Sequence, residues 1–456
     1  MAKSNPKFVI IGMGPCGLGA AWRLQELGYE NYKVFERSEH PGGLASSVLD
    51  EKGFTWDIGG HVEFSHYHYY DNVLNSLMGD DWIYHDRSSW VWIRDRFVPY
   101  PFQNNIRHLP QEDLWECLAG LIEIYRQPQA PKNFRDWIYG SFGKGIAELF
   151  MIPYNTKVWA FPPEKLSYGW IAERVSVPDL MRIIKNVVQQ KDDLAWGPNN
   201  QFRFPLRGGT GEVWKRLFAR LRPDRMHFNS EIVEVNTTRR CVRFSSGTEE
   251  PFDILINTMP LDQLILKSDL PDKSCAQLLP HSSTHVFGIG LRGKVPEFLS
   301  HKSWMYFPES SCPFYRVTVF SNYSPNNVPD DRHWSLLAEV SESPEKKVDG
   351  NSIESEVLDA LQSIRFIRKE DVAQLWHHRE LYGYPTPGLD RDRALSALKQ
   401  FEESNVLSRG RFGGWKYEVS NQDHSFMQGV EAVNRCLLDQ QERTILEPGA
   451  VNSRKS

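Results

Sequence analysis

The feature that most restricts the fold of this chain is a glycine-rich turn between an apolar strand and an amphipathic helix. The run Lys7 to Ile11 meets Gly12-Met-Gly14-Pro-Cys-Gly17, after which Leu18, Ala21, Leu24 and Leu27 recur at helical spacing until Gly28 stops the helix. Tyr32 to Phe35 returns as a strand and ends on Glu36, 19 residues beyond the third glycine. This is β-α-β with G-x-G-x-x-G at its first turn. The glycines let backbone approach a pyrophosphate, the helix N-terminus stabilises its charge, and Glu36 is placed to accept from a ribose hydroxyl. A bare G-x-G-x-x-G also fits an ordinary tight turn. With strand, helix and acid in register, the dinucleotide reading outweighs that alternative.

The 456 residues exceed one ordinary core, so two or three lobes are expected. A net charge of -5, with both signs spread along the chain, leaves no basic stripe for nucleic acid or an anionic membrane. No apolar stretch approaches the roughly 20 residues needed to span a bilayer. The N-terminal apolar run flows into glycines with no cleavage site behind it, and the six cysteines lie far apart without a C-x-x-C pair. A cytoplasmic protein is expected. His66 and His68, and His377 with His378, have no partners at metal spacing, so no metal is expected.

The pattern predicts an α/β protein: a discontinuous Rossmann-like dinucleotide-binding domain, a helical lobe and a second, largely antiparallel sheet domain. We divide the chain into residues 1–104 (first part of the dinucleotide domain), 105–200 (helical lobe, with amphipathic segments Leu114 to Tyr125 and Leu180 to Val188) and 201–260 (second part). Residues 261–405 form the sheet domain, with strands near His285 to Leu291, Trp304 to Phe307, Tyr315 to Phe320 and Trp334 to Val340. Residues 406–446 complete the first domain with a helix near Asp423 to Leu438, and 447–456 read as a disordered tail.

The discrimination between dinucleotides comes from two more glycine pairs, Gly42-Gly43-Leu44 and Gly59-Gly60-His61, each a further close backbone approach to a long ligand. With the late Gly413-Gly414 turn and the helix after it, the chain here resembles the glutathione-reductase-like flavoproteins that include the amine oxidases. Four longer strings are sharper: Gly59-Gly60-His61-Val-Glu-Phe64-Ser-His66-Tyr, Val98-Pro-Tyr100-Pro-Phe102-Gln103-Asn-Asn105, Pro153-Tyr-Asn155-Thr-Lys-Val-Trp159, and Ser408-Arg-Gly-Arg411-Phe with Asn421-Gln-Asp-His-Ser425. These resemble the UDP-galactopyranose mutases, most closely the eukaryotic-type branch, over about residues 7 to 435.

The resemblance implies an isomerase that interconverts UDP-galactopyranose and UDP-galactofuranose, with N5 of reduced FAD as nucleophile at the anomeric carbon and no net redox. It implies FAD contacts from Gly12, Gly14, Cys16, Gly17, Glu36, Gly43, Leu44, Gly59, Gly60, Arg411, Gln422 and Ser425. Arg174 and Arg316 match the arginines that clamp the diphosphate, a role suited to guanidinium forks. A lone arginine is more often a solvated surface charge, but both stand inside matching strings. Tyr306, Tyr323, Tyr384 and Tyr417 match tyrosines whose hydroxyls reach the phosphates, and Asn155, Trp159, Asn199 and Asn421 match other nucleotide-sugar contacts. Tyr100, Phe102 and Gln103 match a uracil-binding segment in which a ring stacks on the base and an amide reads its edge. His61 matches a loop that presents backbone to N5, a positioning rather than a proton-transfer role. Arg87 matches a position near the reductant, expected to be NADPH or NADH.

The link between Asn326 and Trp334 is shorter than in eukaryotic-type members, which points to a monomer or small homo-oligomer. Three alternatives stay open: a mutase for another UDP-sugar, an FAD-dependent oxidoreductase of amine-oxidase type, and a non-catalytic FAD or UDP-sugar binding protein.

Overall fold

The computed structural model describes residues 5–126, 130–171, 175–194, 200–453 and 455. Its first sheet is parallel and five-stranded, in the order Val406–Ser408, Ile254–Asn257, Phe8–Ile11, Tyr32–Phe35, Met226–His227. Its five strands come from three distant parts of the chain, which makes this domain discontinuous. The central strand Phe8–Ile11 is wholly buried, as a strand covered on both faces must be.

The first turn owes its geometry to two glycines. Gly12 has φ +96°, and a Cβ there would stand 2.2 Å from Thr258 Oγ1. At Gly17 a Cβ would fall 1.9 Å from the carbonyl oxygen of Gly12, so only glycine lets the helix Pro15–Glu26 start so close to the strand. That helix lies against the helix Gln422–Leu438. There the closest approach is at Gly429, where a Cβ would meet the Cys16 carbonyl at 2.0 Å.

The second sheet has seven strands, in the order Val372–Pro385, His281–Arg292, His333–Glu342, Arg316–Val319, Trp304–Tyr306, Ser89–Ile93, Arg96–Pro99. Its pairings are antiparallel except between Trp304–Tyr306 and Ser89–Ile93. Two corrections follow. The hairpin of residues 89–99 belongs to this sheet, so the first span, drawn to residue 104, runs past the dinucleotide sheet. The fourteen-residue edge strand Val372–Pro385 is absent from the sequence reading because its middle, Trp376-His-His-Arg379-Glu, is polar and lacks the alternation of a half-buried strand. His377 is used there: its Nε2 meets Nδ1 of His285 on the neighbouring strand at 2.9 Å.

The helical lobe contains the helices Gln111–Arg126, Phe134–Ile146, Ile152–Trp159 and Leu180–Gln189 around a core that includes Phe102, Phe134, Ile138, Phe142, Phe150 and Trp159. A π-helical segment, Ala147–Met151, leads into Ile152–Trp159.

The tail corrects a further expectation. Residues Pro448–Ser453 form a helix, with Val451 buried and Asn452 Nδ2 donating to the Glu418 carbonyl at 2.9 Å. The cause lies upstream. The buried guanidinium of Arg409 needs an acid, and Glu442 supplies it through contacts of 2.6 and 2.7 Å, which folds residues 439–453 back onto the body.

Candidate functional site

A cavity of about 850 Å³ runs between the two sheets, starting at the first glycine turn. One end is lined by Gly12, Gly14, Cys16, Glu36, Gly43 and Leu44, the middle by Gly59, Gly60 and His61, and the far end by Arg411, Gln422 and Ser425. Of the expected cofactor residues, Gly17 alone is not on the wall; its role is packing. The Glu36 carboxylate is held by the Met13 amide at 2.8 Å and by the Ser38 amide and hydroxyl at 2.9 and 3.0 Å. A carboxylate has about four acceptor positions, so one remains for a ribose hydroxyl.

Gly14 tests whether a dinucleotide fits. Its φ of -75° suits any residue, and a Cβ there would meet no protein atom nearer than 3.9 Å. Neither backbone strain nor crowding explains the glycine. A side chain would instead enter the cavity, which fits a ligand pressed on this backbone at the helix N-terminus. The residues present therefore suit FAD, with its pyrophosphate at Gly12–Gly14 and its flavin towards Gly59, Gly60 and the Gln422 helix.

Beyond the middle glycines the wall changes character. Arg316, Tyr306, Tyr384, Tyr417, Tyr100, Asn421 and Arg87 line it. Arg316 lies opposite Glu339 on the adjacent strand, and its Nε and Nη2 both bond that carboxylate, the latter at 2.8 Å. Gly60 lies against Thr318 and this pair: a Cβ there would stand 2.9 Å from Thr318 Oγ1 and 3.4 Å from Arg316 Nε and Nη2, and one at Gly59, 3.4 Å from Glu339 Oε1. The guanidinium is thus fixed in direction and keeps three N–H donors free of Glu339. The rings of Tyr100 and Tyr306 stand 5.2 Å apart, and the Arg87 guanidinium covers the Tyr100 ring at 4.8 Å. Arg411 covers the Tyr384 ring at 5.0 Å and donates to the Gly383 carbonyl at 3.0 Å.

His61 is held as neutral imidazole. Burial pulls it down to about 4, and Arg411 and Arg316 act in the same direction against the opposing charge of Glu339. It is not a group that carries a proton near neutral pH.

Several expected contacts lie elsewhere. Phe102 is fully buried in the helical lobe and stacked on Phe150 at 4.7 Å, so its ring does not face the cavity as a base-stacking surface would. Gln103 spends its amide on the Ser176 carbonyl at 2.5 Å, and Asn155 spends its own on the Met151 carbonyl at 2.8 Å. Trp159 supports the wall from behind, edge-on to Tyr417 at 4.8 Å. Tyr323 is buried among Phe202, Phe204 and Trp304 and is off the cavity wall. Arg174 and Asn199 lie outside the described residues.

The sequence reading missed Glu339, whose strand Leu336-Leu-Ala-Glu-Val reads as apolar core. It also missed Glu63, a buried cavity-lining acid that accepts from Tyr70 Oη at 2.8 Å, and the grouping of His66, Asp423 and His424 within 4.8 Å. Asp423 Oδ2 accepts from both the amide and Nδ1 of His66, at 2.9 and 2.7 Å, pinning the segment after Gly60 to the start of the Gln422–Leu438 helix. The spacing of H-x-H alone could not show this, because its partner acid is 357 residues away.

Comparison with known proteins adds the following. Residues 15–437 match the family model described as flavin containing amine oxidoreductase. The fold is similar to a crystal structure of reduced UDP-galactopyranose mutase, with a TM-score of 0.97 and 45% identity, covering 99% of this chain and 98% of that one. It is also similar to cyclohexylamine oxidase from Brevibacterium oxydans (TM-score 0.68, 14% identity, 96% and 100% coverage). A fatty acid isomerase from P. acnes gives a TM-score of 0.65 at 14% identity, with 96% and 100% coverage. The last two likenesses concern the fold alone.

Proposed function

This chain belongs to the flavin containing amine oxidoreductase family and, within it, to the UDP-galactopyranose mutases, and from that membership we propose how its residues serve the reaction. The protein is a flavin-dependent isomerase that interconverts UDP-galactopyranose and UDP-galactofuranose. Reduced FAD, when bound, supplies the nucleophile, its N5, for the anomeric carbon, and there is no net redox. The protein's work is to hold a diphosphate leaving group so that it separates from the sugar without escaping.

Arg316 carries this reading. It stands on the cavity wall against Gly60, beside the flavin segment, with its fork aimed by Glu339. A pre-oriented guanidinium neutralises charge that develops on the departing β-phosphate and needs no reorganisation to do so. Arg174 would be the second arm of this clamp. Tyr306, Tyr384, Tyr417 and Asn421 are placed to add hydroxyl and amide donors, and Tyr100 to bound the nucleoside end. His61, neutral and half-buried, positions backbone at the flavin rather than moving protons. NADPH or NADH would reduce the flavin in a cytoplasmic setting, through the face lined by Arg87. An amine oxidase would need an apolar cage at this wall, where three arginines and four tyrosines stand instead.

The test is conversion by anaerobically reduced enzyme. Reduced protein should interconvert UDP-galactopyranose and UDP-galactofuranose, oxidised protein should not, and NADPH should reduce the flavin without being consumed in step with product. Conversion of a different UDP-sugar alone would keep the chemistry and change the substrate. Stoichiometric consumption of NADPH, or bleaching of oxidised flavin by an amine with no sugar product, would return the oxidoreductase reading.

A further inference from the structure

Tyr306 and Arg316 are paired residues at the ends of two antiparallel strands, joined by the nine-residue connection 307–315. Within that connection the backbone makes few bonds of its own: Phe307 N donates to Tyr315 O at 3.0 Å, and Cys312 N to Glu309 O at a long 3.4 Å. Ser310 and Ser311 are exposed, and the outer side of the loop borders an open groove of about 1210 Å³. Phe307, Phe314 and Tyr315 are buried and Tyr315 N donates to the Glu339 carbonyl at 2.9 Å, so the ends of the loop are packed and its middle, residues 309–311, is not.

What gathers the backbone carbonyls around that middle is one side chain. Lys157, on the helix Ile152–Trp159, reaches under the loop and donates from Nζ to the carbonyls of Phe307 at 2.7 Å, Glu309 at 3.0 Å and Cys312 at 2.7 Å. Three carbonyls match the three donors of an ammonium and favour that form, against burial, which pulls Lys157 down to about 7. The Glu309 carboxylate is turned away to Arg94, so the charge of Lys157 is met by backbone dipoles. The helix end is itself tied down: the Lys157 carbonyl accepts from Ser341 Oγ, and the Ala160 carbonyl from Ser343 Oγ at 2.5 Å. Ser341 sits on the strand that carries Glu339. One residue therefore references the loop that bears Tyr306 and Arg316 to the strand that aims Arg316.

We propose that Lys157 is a positioning residue for the isomerase, setting the placement of Tyr306 and Arg316 at the diphosphate by gathering three carbonyls of the 307–315 loop. It touches neither substrate nor cofactor, and the inference rests on the diphosphate role given to Arg316 above. Charged hydrogen bonds to buried carbonyls are among the stronger ones, so losing three together should loosen the loop rather than shift it slightly. The cost falls on ligand binding, because a loop that samples many positions must be ordered by the ligand.

The experiment uses the holoenzyme and Lys157→Met, which keeps the aliphatic packing and removes the donors. Flavin content and the visible flavin spectrum should match wild type. KM for UDP-galactopyranose and Kd for UDP should each rise about tenfold, while kcat changes by less than about a factor of three. A residue that only supports the scaffold would lower kcat through the folded fraction and leave KM and Kd in place, and that result overturns the proposal. If K157M does not retain flavin, Lys157→Gln, which keeps two donors, should fold and show a smaller rise in Kd. A glutamine variant that binds UDP like wild type, or that also loses flavin, overturns it too. Wild type that fails to bind UDP removes the substrate reading and this proposal together, whereas wild type that binds UDP beside an unaltered K157M removes only the proposal.

Discussion

Arg316 and Glu339 face each other across adjacent antiparallel strands as an unequal pair: the carboxylate is 2% exposed, while the guanidinium keeps 21% open towards the cavity. The acid is wholly given to the protein, and the base is shared with whatever the cavity holds.

That inequality predicts a two-step result. Arg316→Ala should retain flavin and lose roughly two to three powers of ten in turnover. It should also lose about 3–5 kcal/mol of stability, since it leaves a buried carboxylate unpaired. Adding Glu339→Gln should restore much of the melting temperature and none of the turnover. Equal melting temperatures for the single and double variants would show that the pair is not the source of the loss.

Two glycines of the first turn should fail differently. The purified protein should be yellow with about one FAD per chain. Gly14→Val should fold and emerge colourless, because its Cβ would stand on the cavity wall with no protein atom nearer than 3.9 Å. Gly17→Val should lose the fold, because its Cβ would overlap the Gly12 carbonyl. Circular dichroism and flavin absorbance separate the two outcomes, and a yellow Gly14→Val would count against the pyrophosphate position.

His61 should leave no mark on the activity profile between about pH 5.5 and 8. Burial, reinforced by Arg411 and Arg316, takes it from 6.5 to about 4. The sign for stability follows. Between those values the unfolded chain binds a proton that the folded one refuses, so the His61 contribution is complete above 6.5 and is lost as pH falls towards 4. His61→Gln should show the same profile shape and a shallower acid loss in melting temperature. A profile whose inflection disappears in the variant would restore a proton role.

Glu63 should act in the opposite direction. Burial pushes it from 4.5 up to about 8, against the Tyr70 hydrogen bond and the charge of Arg203. Here the folded state holds a proton that the unfolded chain releases. Its contribution is complete below 4.5 and is lost as pH rises through 8. Glu63→Gln keeps an acceptor for Tyr70 and should be the more stable protein above that pH, by on the order of 2–4 kcal/mol. Parallel melting curves against pH would show that Glu63 is already ionised in the folded protein.

Much of the flavin end was legible in the sequence. The turn, the helix and Glu36 are close along the chain, and each is constrained by local rules: left-handed backbone at Gly12, a helix N-terminus, a strand end. The substrate end was legible only as resemblance, and unevenly. Tyr306, Arg316, Tyr384 and Tyr417 stand on the cavity wall, whereas Phe102, Gln103, Asn155 and Tyr323 are bonded or packed away from it. A matching string places a residue near a site and does not say which way its side chain turns, because that is decided by neighbours from other segments. The tail failed for a related reason: its polar composition reads as solvent-loving, but Arg409 required Glu442 inside.

By itself the sequence determined the β-α-β dinucleotide unit and the order of glycine contacts, since these depend on residues within a few turns of one another and on backbone angles that only glycine adopts cheaply. Tertiary structure alone decided that Glu339 aims Arg316, that Gly60 lies against Thr318 and Arg316, and that Lys157 gathers a loop 150 residues away. These contacts are set by strand register and by a helix docking on a sheet, both of which follow from burying the whole core at once and leave no periodic trace in any one segment.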